Sequence, residues 1–194
     1  RGGNAIDAAV AAAFAAQIAE IGMCGLGGNG IILVHSSDKG ETTVFDDSTV
    51  PPAAATPDMF EVLPGTGGFY GWDNVRDDAN IDGHRSVAIP GTVAGLCAAL
   101  DRYGTMDLAT VLAPAIKLAD EGMEIDRRTS VAITSEMRYF DRFPALGDLL
   151  LSDGLPPVPG TFWAPGDKPA YQELAGSYRA IAAEGPYVFY KGDI

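Results

Sequence analysis

Cysteine and histidine are scarce in this sequence. Its 194 residues include two cysteines, Cys24 and Cys97, and two histidines, His35 and His84, with no Cys-x-x-Cys pair. Structural zinc sites and disulfide frameworks need more of these residues at close spacing. The sequence therefore predicts neither kind of site, and it leaves the redox compartment open.

Long apolar runs and an excess of positive charge are also missing. The longest apolar stretch, residues 8–18, is mostly alanine and falls short of the roughly 20 residues of a membrane-spanning helix. The 26 acidic and 13 basic side chains give a formal net charge of −13, which disfavours binding to phosphate backbones. We expect no membrane span and no nucleic-acid partner.

The apolar content is sufficient for one globular core. Hydrophobic residues make up 47% of the chain, and its length suits a single domain of about 100–200 residues. Position 1 is Arg1, and no signal-peptide pattern precedes the first helix. We expect one domain over residues 1–194, cut at both ends. Periplasmic or secreted and cytoplasmic locations both stay open.

Periodicity and turn residues predict a mixed α and β domain. Asn4 is expected to cap a helix over about 5–20, whose many alanines suit an interior position. The apolar run 31–34 predicts a strand buried on both faces, within a hairpin over 31–46. The other predictions are a short helix from Thr56 to Val62, a surface loop over 64–83, and helices from Thr92 to Gly104, from 108 to Gly122, over 127–140 and over 171–183.

Gly25, Gly27 and Gly30 have the GxGxxG spacing of dinucleotide-binding loops. That motif must follow a strand and open a helix, whereas here the loop follows a helix and precedes a strand. The alternative is a tight turn with several glycines at positive φ. We favour the structural turn.

Several carboxylates are candidates for acid-base chemistry or cation binding, but their spacing matches no known loop. Asp73 to Asp82 lacks the alternating ligands of a calcium site. His84 has no neighbouring serine or cysteine that would indicate a triad. We expect solvated turns here and structural roles for both cysteines, so residue types alone name no reaction.

A set of short stretches follows one another along the chain in a fixed order. They are residues 1–11 (RGGNAIDAAVA), 25–30 (GLGGNG), 51–55 (PPAAA), 89–96 (IPGTVAGL), 103–105 (YGT), 112–119 (LAPAIKLA) and 181–192 (IAAEGPYVFYKG). In this order they resemble motifs of the gamma-glutamyltranspeptidase family. Collinear motifs over residues 1–192 are more specific than a single glycine pattern.

The resemblance implies an Ntn-hydrolase fold, a four-layer α/β/β/α sandwich, of which this chain is the N-terminal, large-subunit portion. In that family the precursor cuts itself, and a threonine exposed at the start of the C-terminal, small subunit attacks a small-molecule amide. No metal or organic cofactor is implied. The nucleophile segment is absent here, so the partner is that C-terminal subunit and this chain alone is expected to be inactive.

The resemblance also points to a substrate-binding segment. The family's DFRExAPAAA stretch carries an arginine that holds the substrate α-carboxylate. Aligning this sequence on Pro51 puts Asp47 at that place, where it would repel a carboxylate. We therefore name Asp47, Ser48 and Arg85 as candidate substrate-binding residues. The substrate is not expected to be a gamma-glutamyl compound such as glutathione unless Arg85 or Arg76 replaces the clamp.

Two other classes stay open. The chain could belong to a family member that has lost catalysis and serves as a binding or scaffold protein, because the arginine is missing and the nucleophile is not seen. It could also be an unrelated module in which the 64–83 loop binds a small ligand. A threonine-rich segment downstream would favour the enzyme over the scaffold.

Overall fold

The structure is a computed structural model that describes residues 2–65, 67, 71–163 and 169–194, with side chains from 171 onward in the last segment. Helices dominate, and the strands of the described residues form two small antiparallel sheets. The mixed α and β class is confirmed, while the four-layer sandwich stays a prediction about a larger protein. The elements are α1 (Ala5–Ala19), β1 (Ile31–Ser36), β2 (Glu41–Asp46), α2 (Thr92–Tyr103), α3 (Leu108–Glu121), β3 (Met123–Glu124), α4 (Arg127–Ser135), α5 (Pro144–Leu150), β4 (Phe162–Trp163), α6 (Pro169–Glu184) and α7 (Tyr187–Lys191).

Helix α1 begins with a capping box, as Asn4 predicted. The Asn4 side chain accepts hydrogen bonds from the backbone N–H groups of Ile6 and Asp7, and the Asp7 carboxylate accepts one from Asn4 N. The prediction of an interior position is wrong for this chain, because Ala8, Ala9 and Ala12 are exposed. One stripe of α1 is buried, and the alanines on its far side cover nothing within the described residues.

Asp7 also ties the start of α1 to the loop between α2 and α3. Its carboxylate accepts from the backbone N–H groups of Thr105 and Met106 and from the Thr105 hydroxyl at 2.6 Å. The Thr105 hydroxyl and these N–H groups lower the pKa of Asp7 to about 2, despite burial that acts in the opposite direction. The GGNAID and YGT stretches, far apart in sequence, are therefore one structural unit.

The core lies where α3 packs between α1 and α6. Phe14 and Tyr178 are fully buried and meet edge to face with centroids 5.9 Å apart. The Tyr178 hydroxyl lies within hydrogen-bond distance of two acceptors, the Phe14 carbonyl oxygen at 3.3 Å and Gln17 Oε1 at 3.0 Å. It gives the buried Gln17 side chain a hydrogen-bond partner. Burying a side chain such as Phe14 contributes roughly 1.5–3 kcal/mol, so this contact anchors α6 to α1.

The hairpin β1–β2 forms in the predicted place, with Leu33 opposite Val44 and Ile31 opposite Asp46. The prediction that residues 31–34 are buried on both faces is wrong. Val34 is buried, whereas Ile31 and Leu33 are 69% and 68% exposed. The hairpin packs one face on α2 and leaves the other uncovered. We call this uncovered side, which carries Ile31, Leu33 and Val44, the open face.

Other element ends follow local chemistry. Helix α2 ends at Gly104 and α3 at Gly122, as predicted, and Gly122 has a φ of 84°. The predicted helix over 127–140 divides into α4 and a 3₁₀ turn at Met137–Tyr139. The predicted helix from Thr56 to Val62 is wrong. That segment forms turns, and Val62 instead makes a β-bridge with Val75 in the surface loop. No helix within the described ranges is long and apolar enough to cross a bilayer.

Candidate active site

Residues 47 and 48 continue the alternation of strand β2 after its last residue, Asp46. Asp47 N donates to the Gly30 carbonyl at 3.2 Å, which extends the pairing with the chain before β1. The side chain of Asp47 is 6% exposed, while Ser48 is exposed. Because side chains alternate along an extended chain, Asp47 points to the helix side with Phe45, and Ser48 lies on the open face with Val44.

The Asp47 side chain lies in a cradle of glycines. A β-carbon built on Gly95 would lie 2.5 Å from Asp47 Cβ, and one on Gly91 would overlap the Asp47 carbonyl oxygen. A β-carbon on Gly30 would lie 3.5 Å from Asp47 Oδ1. The glycines of the IPGTVAGL stretch thus leave room for the residue that follows β2.

The glycine loop holds the start of α2 through its backbone. The Gly28 carbonyl accepts from the N–H groups of Gly91 and Thr92 at 3.2 and 3.3 Å. Gly28 has no room for a side chain, since a β-carbon would lie 3.0 Å from the Gly25 carbonyl oxygen. The prediction of several positive φ angles in this loop is wrong, because none of its glycines adopts one. The loop is a structural turn in which close packing restricts Gly28, whereas a β-carbon on Gly27 would have no atom within 4 Å.

Tyr190 of α7 completes this cluster from the end of the chain. Its hydroxyl accepts from the Ala94 N–H at 3.1 Å, which satisfies one of the open donors in the first turn of α2. Burial raises the pKa of Tyr190, and the nearby charge of Asp47 adds to that rise more weakly. Sequence reasoning did not single out Tyr190, although its place in the FYKG stretch was a signal.

Ser48 is held by its neighbour on the same face. Its backbone N–H and its hydroxyl both donate to Asp46 Oδ1, at 3.0 and 2.6 Å. The Ser48 hydroxyl, followed by its N–H, lowers the pKa of Asp46. The open end of β2 therefore presents a fixed hydroxyl beside a carboxylate.

The two arginines named as replacements for the clamp lie in the loop before α2. Arg76 donates from Nε and Nη2 to both oxygens of the Glu61 carboxylate, at 2.5 and 2.6 Å. This bidentate pair uses the forked side of the guanidinium. Arg85 is exposed, and its guanidinium carbon lies 5.3 Å from the centroid of the Phe60 ring. Arg85 precedes Ile89 by four residues in the same loop. Ile89 makes a β-bridge with Val50, which is two residues after Ser48.

The remaining candidates of the sequence lie apart from this cluster. Asp77 and Asp78 occupy an exposed 3₁₀ turn at positive φ, and Cys24 is exposed. Burial raises the pKa of the Cys97 thiol to about 11, so it is a packed and unreactive group. Over the described ranges, no three histidine, cysteine or acidic side chains come close enough to hold a metal ion.

Four separate stretches, namely the glycine loop, the end of β2, the start of α2 and α7, therefore meet around Asp47. The chain is similar in fold to the gamma-glutamyltranspeptidase of Helicobacter pylori, with a TM-score of 0.82 and 31% identity over 99% of this chain and 51% of that one. It is 40% identical to the acylase ACY 1 proenzyme of Pseudomonas sp. strain V22 and 35% identical to the glutathione hydrolase proenzyme of Bacillus subtilis strain 168. Both of these relatives are proenzymes, one named as an acylase and the other as a glutathione hydrolase.

The family itself is shown by a direct match. The family model described as gamma-glutamyltranspeptidase matches residues 1–194. The chain belongs to the gamma-glutamyltranspeptidase family. It covers 33% of the Pseudomonas acylase, with all of its own length matched, and 30% of the Bacillus hydrolase, with 99% matched. The chain thus spans about a third of these relatives and corresponds to an N-terminal portion of them.

Proposed function

We propose that this chain, as one domain over residues 1–194, is part of the large subunit of an amide-cleaving acyltransferase or hydrolase. Its closer curated relatives are proenzymes named as acylases and glutathione hydrolases, which supports a self-processing precursor. The attacking threonine belongs to a C-terminal subunit, and this chain supplies one wall of the site. We infer no metal or organic cofactor.

The proposed chemistry needs only the exposed threonine. Its hydroxyl oxygen attacks the amide carbon while its own α-amine takes the hydroxyl proton. The carbon–nitrogen bond then breaks, and the amine product leaves with that proton. The acyl group, held as an ester, is released by water or transferred to an amine acceptor.

The exposed apolar side chains on the open face of the hairpin support the proposal that a C-terminal subunit packs there. Ile31, Leu33 and Val44 are 69%, 68% and 58% exposed on one side of a two-stranded sheet. Uncovered apolar side chains in such a patch are typical of interaction surfaces. We infer that strands of the C-terminal subunit cover this face and bring the nucleophile to the Ser48 end of it.

The observation that carries the substrate proposal is the residue on the open face after β2. In the match of residues 51–55 to APAAA, the proline of the motif is Pro52, and counting back from it gives Ser48 at the arginine position. Either register, through Asp47 or Ser48, leaves this position without a cation. Arg76 is paired with Glu61, so of these two arginines Arg85 is the one that can approach an anionic group.

The acyl group is therefore one without the α-carboxylate of a gamma-glutamyl substrate. Higher identity to the acylase than to the glutathione hydrolase, 40% against 35%, supports the same choice. In this proposal Ser48 contacts the acyl chain from the open face, Asp47 lies behind it, and Arg85 approaches from the loop before α2.

The test begins with the full-length proenzyme. Mass spectrometry is expected to find two fragments, the smaller beginning with threonine. Hydrolysis of pentanoyl-4-nitroanilide is expected to exceed that of gamma-glutamyl-4-nitroanilide. An uncleaved protein without activity on either substrate would instead support a scaffold that has lost catalysis.

A pair of variants decides which residue occupies the arginine position. Ser48→Arg is expected to raise gamma-glutamyl hydrolysis about tenfold or more, because a charge-assisted pair forms on the open face. Asp47→Arg is expected to impair folding instead, because the glycine cradle has no room for it. Gain of gamma-glutamyl activity in Asp47→Arg alone would assign the position to Asp47.

A further inference from the structure

Two carboxylates of this chain are buried at helix N-termini, and only one of them is satisfied. Asp7 is 3% exposed and accepts hydrogen bonds from Asn4, Thr105 and Met106. Asp47 is 6% exposed, and its Oδ1 has no hydrogen-bond partner among the described residues. Asp7 therefore stabilises the fold through its hydrogen bonds, whereas Asp47 contributes no such hydrogen bonds through Oδ1.

The surroundings of Asp47 do not compensate its charge. The glycine loop presents Gly30 to it, and the N-terminal end of α2 presents Gly91 and Gly95, none of which has a side chain. The Tyr190 hydroxyl accepts from the Ala94 N–H and makes no hydrogen bond to Asp47 Oδ1. No ion pair within the described ranges includes Asp47. Among these groups, the positive N-terminal end of the α2 dipole is what favours a negative charge on Asp47.

A buried charge without a partner lowers stability, since removal from water is not offset by hydrogen bonds. Side chains that break local rules of satisfaction in native proteins are concentrated at functional sites. Asp47 directly precedes Ser48, which we have proposed to contact the acyl chain. Its charge lies in a region of low dielectric, where it acts over a longer distance than in water.

We propose that Asp47 is a specificity-determining residue whose unpaired charge, behind Ser48, excludes acyl chains that end in a carboxylate. This inference rests on the proposed acyl-transfer function and adds active repulsion to the absence of a clamp. In this proposal Asp47 acts from behind Ser48 and not by direct contact with the acyl chain. It acts through the field at the open face and is retained at the expense of stability.

The experiment uses the full-length proenzyme and two substrates with acyl chains of equal length. Glutaryl-4-nitroanilide ends in a carboxylate and pentanoyl-4-nitroanilide in a methyl group. The measured quantities are the ratio of kcat/KM for glutaryl over pentanoyl and the melting temperature. Asp47→Asn keeps the size of the side chain and removes its charge. Asp101→Asn, at an exposed position of α2, is the matched control.

We expect Asp47→Asn to raise the glutaryl-to-pentanoyl ratio by about tenfold, mainly through KM for glutaryl, with a melting temperature equal to or above that of the parent. Asp101→Asn should leave both quantities unchanged. A merely structural aspartate would give the opposite pattern, with a lower melting temperature and an unchanged ratio, and that result would overturn the proposal.

Asp47→Ala is a second variant without the charge, for the case that Asp47→Asn does not fold. Alanine introduces no atom that aspartate lacks. The same rise in the ratio with alanine supports the proposal. Loss of folding in both variants would show a structural role and overturn it. A parent protein that neither cleaves itself nor hydrolyses pentanoyl-4-nitroanilide would contradict the proposed function itself. An active parent whose ratio is insensitive to Asp47 would contradict only this inference.

Discussion

The side chain of Asp47 and the backbone of Gly95 occupy adjoining space, so that a β-carbon on Gly95 would lie 2.5 Å from Asp47 Cβ. This contact links the end of β2 to the second turn of α2. It explains why the IPGTVAGL stretch has glycine at a position inside a helix, where glycine is otherwise unfavourable.

Gly95→Ala is expected to lower the free energy of unfolding by about 1–3 kcal/mol, because an added methyl group must displace the buried Asp47 side chain. Chemical denaturation of the full-length protein measures this change. Gly176→Ala is the matched control, since Gly176 lies exposed in α6 with nothing within 4 Å of an added β-carbon. That substitution should stabilise by about 0.5–1 kcal/mol. Equal effects of the two variants would show that the cradle is not tight.

Tyr178→Phe is expected to destabilise the protein by about 1–3 kcal/mol, because it leaves the buried Gln17 side chain without its hydrogen-bond partner. Burial of the ring itself is unchanged, so the loss measures the hydroxyl group. Denaturation midpoints provide the measurement. Tyr187→Phe, at a position 70% exposed, should stay within about 0.5 kcal/mol of the parent. A loss in Tyr187→Phe as large as in Tyr178→Phe would point to a general effect on both helices.

Asp7 makes stability depend on pH at the acid end. Its pKa is lowered in the folded state from 3.8 to about 2, so the ionised form is favoured by folding. The contribution is complete above pH 3.8 and is lost as the pH falls toward 2. Asp7→Asn should therefore lower the denaturation midpoint strongly at pH 6 and by less at about pH 2. A loss in Asp7→Asn that is constant from about pH 6 to pH 2 would contradict the assignment. Asp101→Asn should show no such difference.

The open face provides a test of the missing subunit. Leu33→Glu in the full-length proenzyme is expected to reduce self-cleavage severalfold, because a carboxylate at the centre of the covered face is buried without a partner. Gel electrophoresis of the purified protein measures the fraction cleaved. Val131→Glu, at a position 59% exposed on α4, should leave cleavage unchanged. Normal cleavage in Leu33→Glu would show that the hairpin face is not an interface.

Local sequence chemistry predicted several elements of this fold correctly. Asn4 predicted the start of α1, and Gly104 and Gly122 predicted the ends of α2 and α3. These predictions were correct because a cap acts on backbone groups that are close to it in sequence. The 31–46 hairpin followed from its turn and alternation. The short helix after Thr56 was wrong because Val62 pairs with Val75 across the loop, a contact that no local pattern contains.

The candidate site was predicted only in part. The sequence pointed to the segment of Asp47 and Ser48 through its resemblance to a family stretch, but it could not say which side chain faces which way. That direction depends on the pairing of Asp47 with Gly30 and on the packing of Gly95. Tyr190 was missed because its partner, Ala94, lies far away along the chain.

By itself, the sequence determined the family, the acidic charge and the helix caps, since each depends on residue type and short spacing. The tertiary structure alone decided that Asp47 is buried, with no partner for its Oδ1 among the described residues, while Ser48 is exposed beside it. The physical reason is that burial and hydrogen-bond satisfaction belong to the space between elements. Four stretches distant in sequence must meet before one carboxylate oxygen loses its contact with water.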